Sequence, residues 1–176
     1  MSCAQWITRR SFWAVTGIWT PRTASPAMAV VRAGGYPSLM MSDETMARAF
    51  LRHADDAQIA WLDPMQSMYY DKADVYIRVG SSANTRAMTN IPAKRVQALR
   101  AAQRQWLDTR LNRAARGEMR WVGTWYPTDS SAQEANMSLE DYADFVYGAM
   151  FCDRLDPVAE WNKLSAMQQS KVDYLV

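Results

Sequence analysis

Four carboxylates in the stretch RWVGTWYPTDSSAQEANMSLEDYADFV are the first candidates for chemistry: Glu134, Glu140, Asp141 and Asp144. Glu140 and Asp144 are four residues apart, so a helix would set them on one face. A carboxylate pair performs acid–base work when its surroundings separate the two pKa values, and it commonly works with an imidazole. The chain has a single histidine, His53, placed near the end of the helical stretch MARAFLRHADD. There it suits the negative end of a helix dipole better than a ligand or base role. A hydrolytic zinc or cobalt site built on two or more imidazoles cannot be assembled within one copy of this chain. The four carboxylates therefore read as surface groups at a capped helix start, complementing its dipole.

The loop in RVGSSANTR offers a different chemistry. Gly80, Ser81, Ser82 and Asn84 follow a strand, where open α/β sheets place their ligands. Backbone amides there, with Arg78 or Arg86, could cradle an anion such as a nucleotide phosphate. Neither GxGxxG nor a P-loop is present, so a plain polar turn is the simpler reading. A third group is the run of cations Lys94, Arg95, Arg100, Arg104, Arg110, Arg113 and Arg116. Such a helix can meet phosphates. The formal net charge is only +2, and between Asp129 and Glu160 acidic residues outnumber the one base, Arg154. Solvated faces, or opposite charges facing each other or a partner domain, fit better than a nucleic-acid site. Cys3 and Cys152 form no CxxC pair, which suits a reducing compartment with Cys152 as a small core residue.

These groups have to be positioned by one domain of ordinary globular composition, 176 residues with 49% hydrophobic and 22% charged. The pattern alternates strands and helices. A short helix in AMAVVRAGG closes at Gly34 and Gly35, and YPSLMM is a brief strand. Ser42 is placed to cap DETMARAFLRHA, and the helical DAQIAWLDPMQSMYYDKA is broken or kinked at Pro64. Residues 74 to 80 form a strand with Val75, Ile77 and Val79 on one face. A long helix runs from Ala93 to Arg116, with Val96, Leu99, Trp106 and Leu111 on one side and Gly117 as its stop. MRWVGTWY reads as a buried strand, and a polar turn follows Pro127. Ser138 and Asp141 then open a helix in the manner of a capping box. Asp156 caps the last helix, with Pro157 at its first position. The tryptophans and tyrosines at these spacings are expected in the core. Alternating strands and long helices imply an α/β fold: an open, mostly parallel sheet with flanking helices.

Residues 1–26 differ in texture from the rest. SFWAVTGIW can form a strand ended by Pro21. TRRSFW with SPAMA resembles a twin-arginine export signal, and a start not native to the domain is the third alternative. No stretch has the length of a membrane span.

ADVYIRVGSSANTRAM, ARGEMRWVGTWYPTDSSAQEANMSLEDYADFVY and DPVAEWNKLSAMQQ together resemble the thermophilic-type metallo-aminopeptidases, the aminopeptidase T and aminopeptidase S group. The resemblance runs from Met28 to the C-terminus. It implies a two-domain enzyme whose amino-terminal half is α/β. The carboxy-terminal half of such an enzyme holds two divalent metal ions, zinc, cobalt or similar, on Glu, His and Asp, and removes N-terminal residues from peptides. The chain corresponds to the first half, residues 27–176 forming that domain after the atypical segment 1–26. On this reading the catalytic domain is absent and the chain is inactive alone. No residue here is then catalytic, cofactor-binding or metal-ligating, and no cofactor belongs to this chain. Two departures from the family pattern are local: Asp129 stands where a proline often follows YPT, and Asn136 where a glycine precedes MSLE. Asn tolerates a left-handed backbone well, so the second is mild. Peptide would be bound only with a catalytic half, and neither nucleic acid nor membrane is expected as a partner. Pairing with a separate catalytic half or with its own copies is the non-catalytic alternative. A cytoplasmic location is expected, with export through TRRSFW as the lesser one.

Overall fold

The computed structural model describes residues 12–17 and 24–175, and side-chain surroundings from residue 27 onward. Cys3, the arginine pair of TRRSFW and Pro21 lie outside the described residues. The elements follow in order β1 (Phe12–Gly17), α1 (Ala24–Arg32), β2 (Tyr36–Met41), α2 (Glu44–His53), α3 (Asp56–Ala60) and α4 (Pro64–Lys72). They continue with β3 (Val75–Gly80), α5 (Ala93–Ala115), β4 (Arg120–Trp125), α6 (Asp129–Glu134), α7 (Leu139–Ala149) and α8 (Pro157–Leu175). The four strands form one parallel sheet in the order β2-β1-β3-β4. The expected open parallel α/β sheet is therefore the observed one. The chain leaves β1 toward β2 on one side and reaches β3 on the other. That reversal makes the carboxyl ends of β1 and β3 the topological switch point, where such sheets open a crevice.

Local chemistry explains the boundaries. Asp43, rather than the expected Ser42, caps α2 by accepting from the Met46 amide at 2.8 Å. Asp55 and Gln58 form a reciprocal capping box on α3, at 2.7 and 2.8 Å. Pro64 does not kink a continuous helix. It opens α4 behind the Asp63 cap, because a first-turn proline sacrifices no internal hydrogen bond. The polar turn after Pro127 is in fact the short helix α6, capped by Thr128. Ser138 caps α7 through the Asp141 amide at 3.0 Å, and Asp156 caps α8 through Ala159 at 3.0 Å.

Helix ends turn where the backbone goes left-handed. Gly117 has φ 72° and closes α5 with bonds from the Gly117 amide to Ala114 and from Glu118 to Arg113. Asn136 does the same after α6 at φ 55°, with Met137 bonded back to Ala132 at 2.9 Å. Phe151 does so after α7 at φ 60°, a conformation that costs a bulky residue strain. Asn136→Ala is expected to lose about 1 kcal/mol of stability, whereas Asn136→Gly should hold or raise it. Thermal denaturation of the two variants compares them directly, and an alanine variant as stable as the parent would refute the assignment.

The core has two layers. Val30 of α1 packs on Val75 and Ile77 on one sheet face. Ala73, Tyr76 and Met119 cluster on the other, with Tyr69 and Tyr70 against them. Trp106 is buried, stacked on Tyr70 with ring centroids 5.6 Å apart, and it donates to Ser67 Oγ at 2.9 Å. Several expectations of burial fail. Leu111 faces outward, and β4 is largely exposed, with Trp121, Val122 and Trp125 open to solvent. An edge strand has a neighbour on one side only, so apolar alternation alone did not guarantee cover. Trp61 and Trp161 are likewise exposed. Cys152 is exposed rather than core, because it follows the left-handed Phe151 in the turn that leaves α7.

Candidate functional site

The loop after β3 is positioned at the carboxyl edge of the sheet, where the sequence placed its anion cradle. Its donors, however, are taken from within the protein. Glu44, in the first turn of α2, accepts from the Ala83 and Asn84 amides at 3.2 and 3.3 Å. A carboxylate from the chain thus sits where an anionic ligand would. Asn84 Oδ1 turns back to accept from the Arg86 amide at 2.9 Å. The Arg86 guanidinium pairs with Glu134 at 3.1 Å, and Thr85 Oγ1 donates to the same carboxylate at 3.0 Å. These two hydrogen bonds, the arginine's first, hold the Glu134 carboxyl below its usual range. On the far side of the loop, Thr128 Oγ1 and Ser130 Oγ donate to the Ser82 carbonyl at 2.6 and 2.7 Å.

Gly80 is the last residue of β3, and β4 places Trp125 beside it in register. A Cβ built on Gly80 would lie 2.7 Å from the Trp125 ring. The glycine therefore admits an indole, which is why its presence after a strand did not signal a phosphate loop. The whole constellation ties α2, the β3 loop and α6 together, and its chemistry is that of a structural clamp.

The other candidates remain apart. His53 is exposed in the last turn of α2, where its position complements the helix dipole. Glu140 and Asp144 share an exposed face of α7, while Asp141 is engaged by the Ser138 hydroxyl at 2.7 Å. Among the described residues no three His, Cys, Asp or Glu side chains converge as a metal site. The described residues thus offer no ligand set for a two-metal centre. Among the described residues no helix is long and apolar enough to cross a membrane.

The basic helix α5 is the element that sequence reasoning resolved least well. Arg95 donates from Nε to the Leu51 carbonyl at 2.6 Å and from its other end to the Ala54 carbonyl. Arg113 donates to the Tyr70 and Ala73 carbonyls, both at 2.9 Å. Both arginines thus satisfy the orphan carbonyls that end α2 and α4. A solvated face was the expectation for them. Periodicity shows which residues share a face but not which helix ends that face will meet. Glu44 was missed for the same reason, since about forty residues separate it from the amides it binds.

Comparison with known proteins adds to this geometry. Residues 22–176 match the profile of the family described as "Thermophilic metalloprotease (M29)". Wild-type AmpT from Thermus thermophilus is similar in fold, with a TM-score of 0.64 at 19% sequence identity. The match covers 94% of this chain and 43% of that one, so the chain spans less than half the length of that relative. No curated protein sequence matches the chain significantly.

Proposed function

The chain belongs to the thermophilic metalloprotease (M29) family, and on that premise we propose that it is the α/β half of a metallo-aminopeptidase. In this reading it supplies scaffold and docking surface to an enzyme that removes N-terminal residues from peptides. The two divalent ions of such an enzyme would supply an activated water and a Lewis acid, both held outside this chain. The observation that carries the reading is the single histidine together with the absence of a three-ligand cluster among the described residues. The 43% coverage of AmpT agrees with it. Peptide binding then requires the catalytic half, and the protein acts in the cytoplasm without nucleic acid or membrane as partner. The purified chain is expected to leave leucyl p-nitroanilide uncleaved with cobalt or zinc added. Robust metal-dependent release of nitroaniline would overturn this.

A second reading, a non-catalytic assembly module, is favoured by the apolar side chains left uncovered at the β4 edge and on α7 and α8. Trp121, Val122, Phe145, Trp161, Met167 and Val172 are all exposed. Such surface commonly marks an interface. Size-exclusion chromatography of the chain, alone and mixed with a family catalytic half, separates the cases. A monomer that ignores the catalytic half would exclude this reading.

A further inference from the structure

Between α5, α4 and β3 lies a cleft of about 410 Å³ that the peptidase reading does not use. Its walls carry Arg78 of β3 and Arg100, Arg104 and Arg110 of α5, over Tyr70 and Trp106. A helix–sheet layer of this kind is ordinarily filled by apolar side chains. Here Gly123 stands in register with Arg78 on the neighbouring strand, and a Cβ added there would meet nothing within 4 Å. That position leaves room beside the arginines rather than filling it.

The charge in the cleft is not balanced from within. None of the lining residues is acidic, and among the described residues only Arg104 of the four arginines has an ion-pair partner, Asp108 at 3.6 Å. Among the described residues Arg78 and Arg100 make no ion pair. Arg110 is held with its guanidinium carbon 4.5 Å from the Trp121 ring centroid and 5.7 Å from that of Tyr76. Its Nε is buried with no hydrogen-bond partner among the described residues. Guanidinium groups do not deprotonate in proteins, so these charges persist. Burial, reinforced by the Tyr76 hydroxyl, raises the Tyr70 phenol far above its ordinary value and keeps it neutral. Among the described residues Asp108 is thus the one counter-charge paired with these arginines.

We propose that this cleft is an anion site for a diphosphate-bearing small molecule, held by the forked guanidinium donors of Arg78, Arg100, Arg104 and Arg110. Four cations less the one met by Asp108 leave three, which a diphosphate balances and a single carboxylate does not. Tetrahedral phosphate oxygens also match several guanidinium forks at once. The site is separate from the β3 loop, whose amides Glu44 already occupies.

Calorimetric titration of the full chain with inorganic pyrophosphate, at ionic strength held constant with chloride, tests the proposal. One-to-one binding is expected, weakened about ten- to a hundredfold in Arg78→Gln and in Arg100→Gln, the loss typical of a charge-assisted hydrogen bond. Both side chains are exposed, so the variants should keep the parent's circular dichroism and melting curve. Equal affinity for pyrophosphate and ADP identifies the diphosphate alone as the recognised chemistry, and tighter ADP binding identifies a nucleotide source. Absence of binding heat would overturn the proposal. So would affinity unchanged in both variants, or binding confined to an oligonucleotide. None of these results depends on peptidase activity.

Discussion

Replacing Arg113 by methionine is expected to destabilise the domain by about 2–4 kcal/mol, the cost of leaving buried carbonyls without their charged donor. For a domain of this size that is a fall in Tm of roughly 5–15 °C. The Arg113 side chain is only 13% exposed and spans three carbonyl oxygens, those of Tyr70, Ala73 and Glu118. Its Nε also lies 3.7 Å from Glu118, at the surface end of the same pocket. Methionine preserves most of the aliphatic stem, so the lost packing is small and the orphaned end of α4 dominates. Lysine is the sharper control. It keeps the charge and one donating nitrogen for the Tyr70 and Ala73 carbonyls but has no second nitrogen for Glu118, so it should recover only part of the stability. Chemical denaturation of the three proteins reads this directly, and a methionine variant within about 0.5 kcal/mol of the parent would show the carbonyls to be solvated instead.

Trp106→Ala is the second large effect, with an expected cost of about 3–5 kcal/mol for emptying a buried indole site. The ring packs between α5 and α4, stacked on Tyr70 and bonded to Ser67, which itself donates to the Asp63 carbonyl at 3.0 Å. Trp106→Phe keeps most of the stacking and loses the Nε1 donor, and should cost about 1 kcal/mol plus a cavity term. Because Trp106 and Arg113 both hold α5 to α4, their effects should be less than additive in the double variant. Full additivity would mean that the two contacts act on separate units.

Much of the fold was legible in the chain. Strong local signals needed no tertiary context: Ser138 with Asp141, Pro157 at a helix start, Gly117 at a helix end, and the tolerance of Asn136 for a left-handed backbone. The errors fell where the outcome depended on a distant neighbour. Ser42 and Asp43 are both good caps, and only the geometry of α2 selects Asp43. β4 has the composition of a buried strand but occupies an edge. Cys152 and Leu111 have apolar character and still face outward. For the loop after β3 the sequence favoured a polar turn over an anion cradle, and what it did not show is that Glu44 takes the Ala83 and Asn84 amides.

By itself, the sequence determined the alternation of strands and helices, the family and the shortage of imidazole that keeps a multi-histidine metal centre out of this chain. Those follow from local propensity, ordered motifs and a simple count. Only the tertiary structure decided what the charged residues do. Arg95 and Arg113 close helix ends, Arg86 meets Glu134, and Arg78, Arg100, Arg104 and Arg110 surround a cleft. The physical reason is that helical period assigns a residue to a face, whereas charge energetics depend on which carbonyl, carboxylate or cation another part of the chain brings to that face.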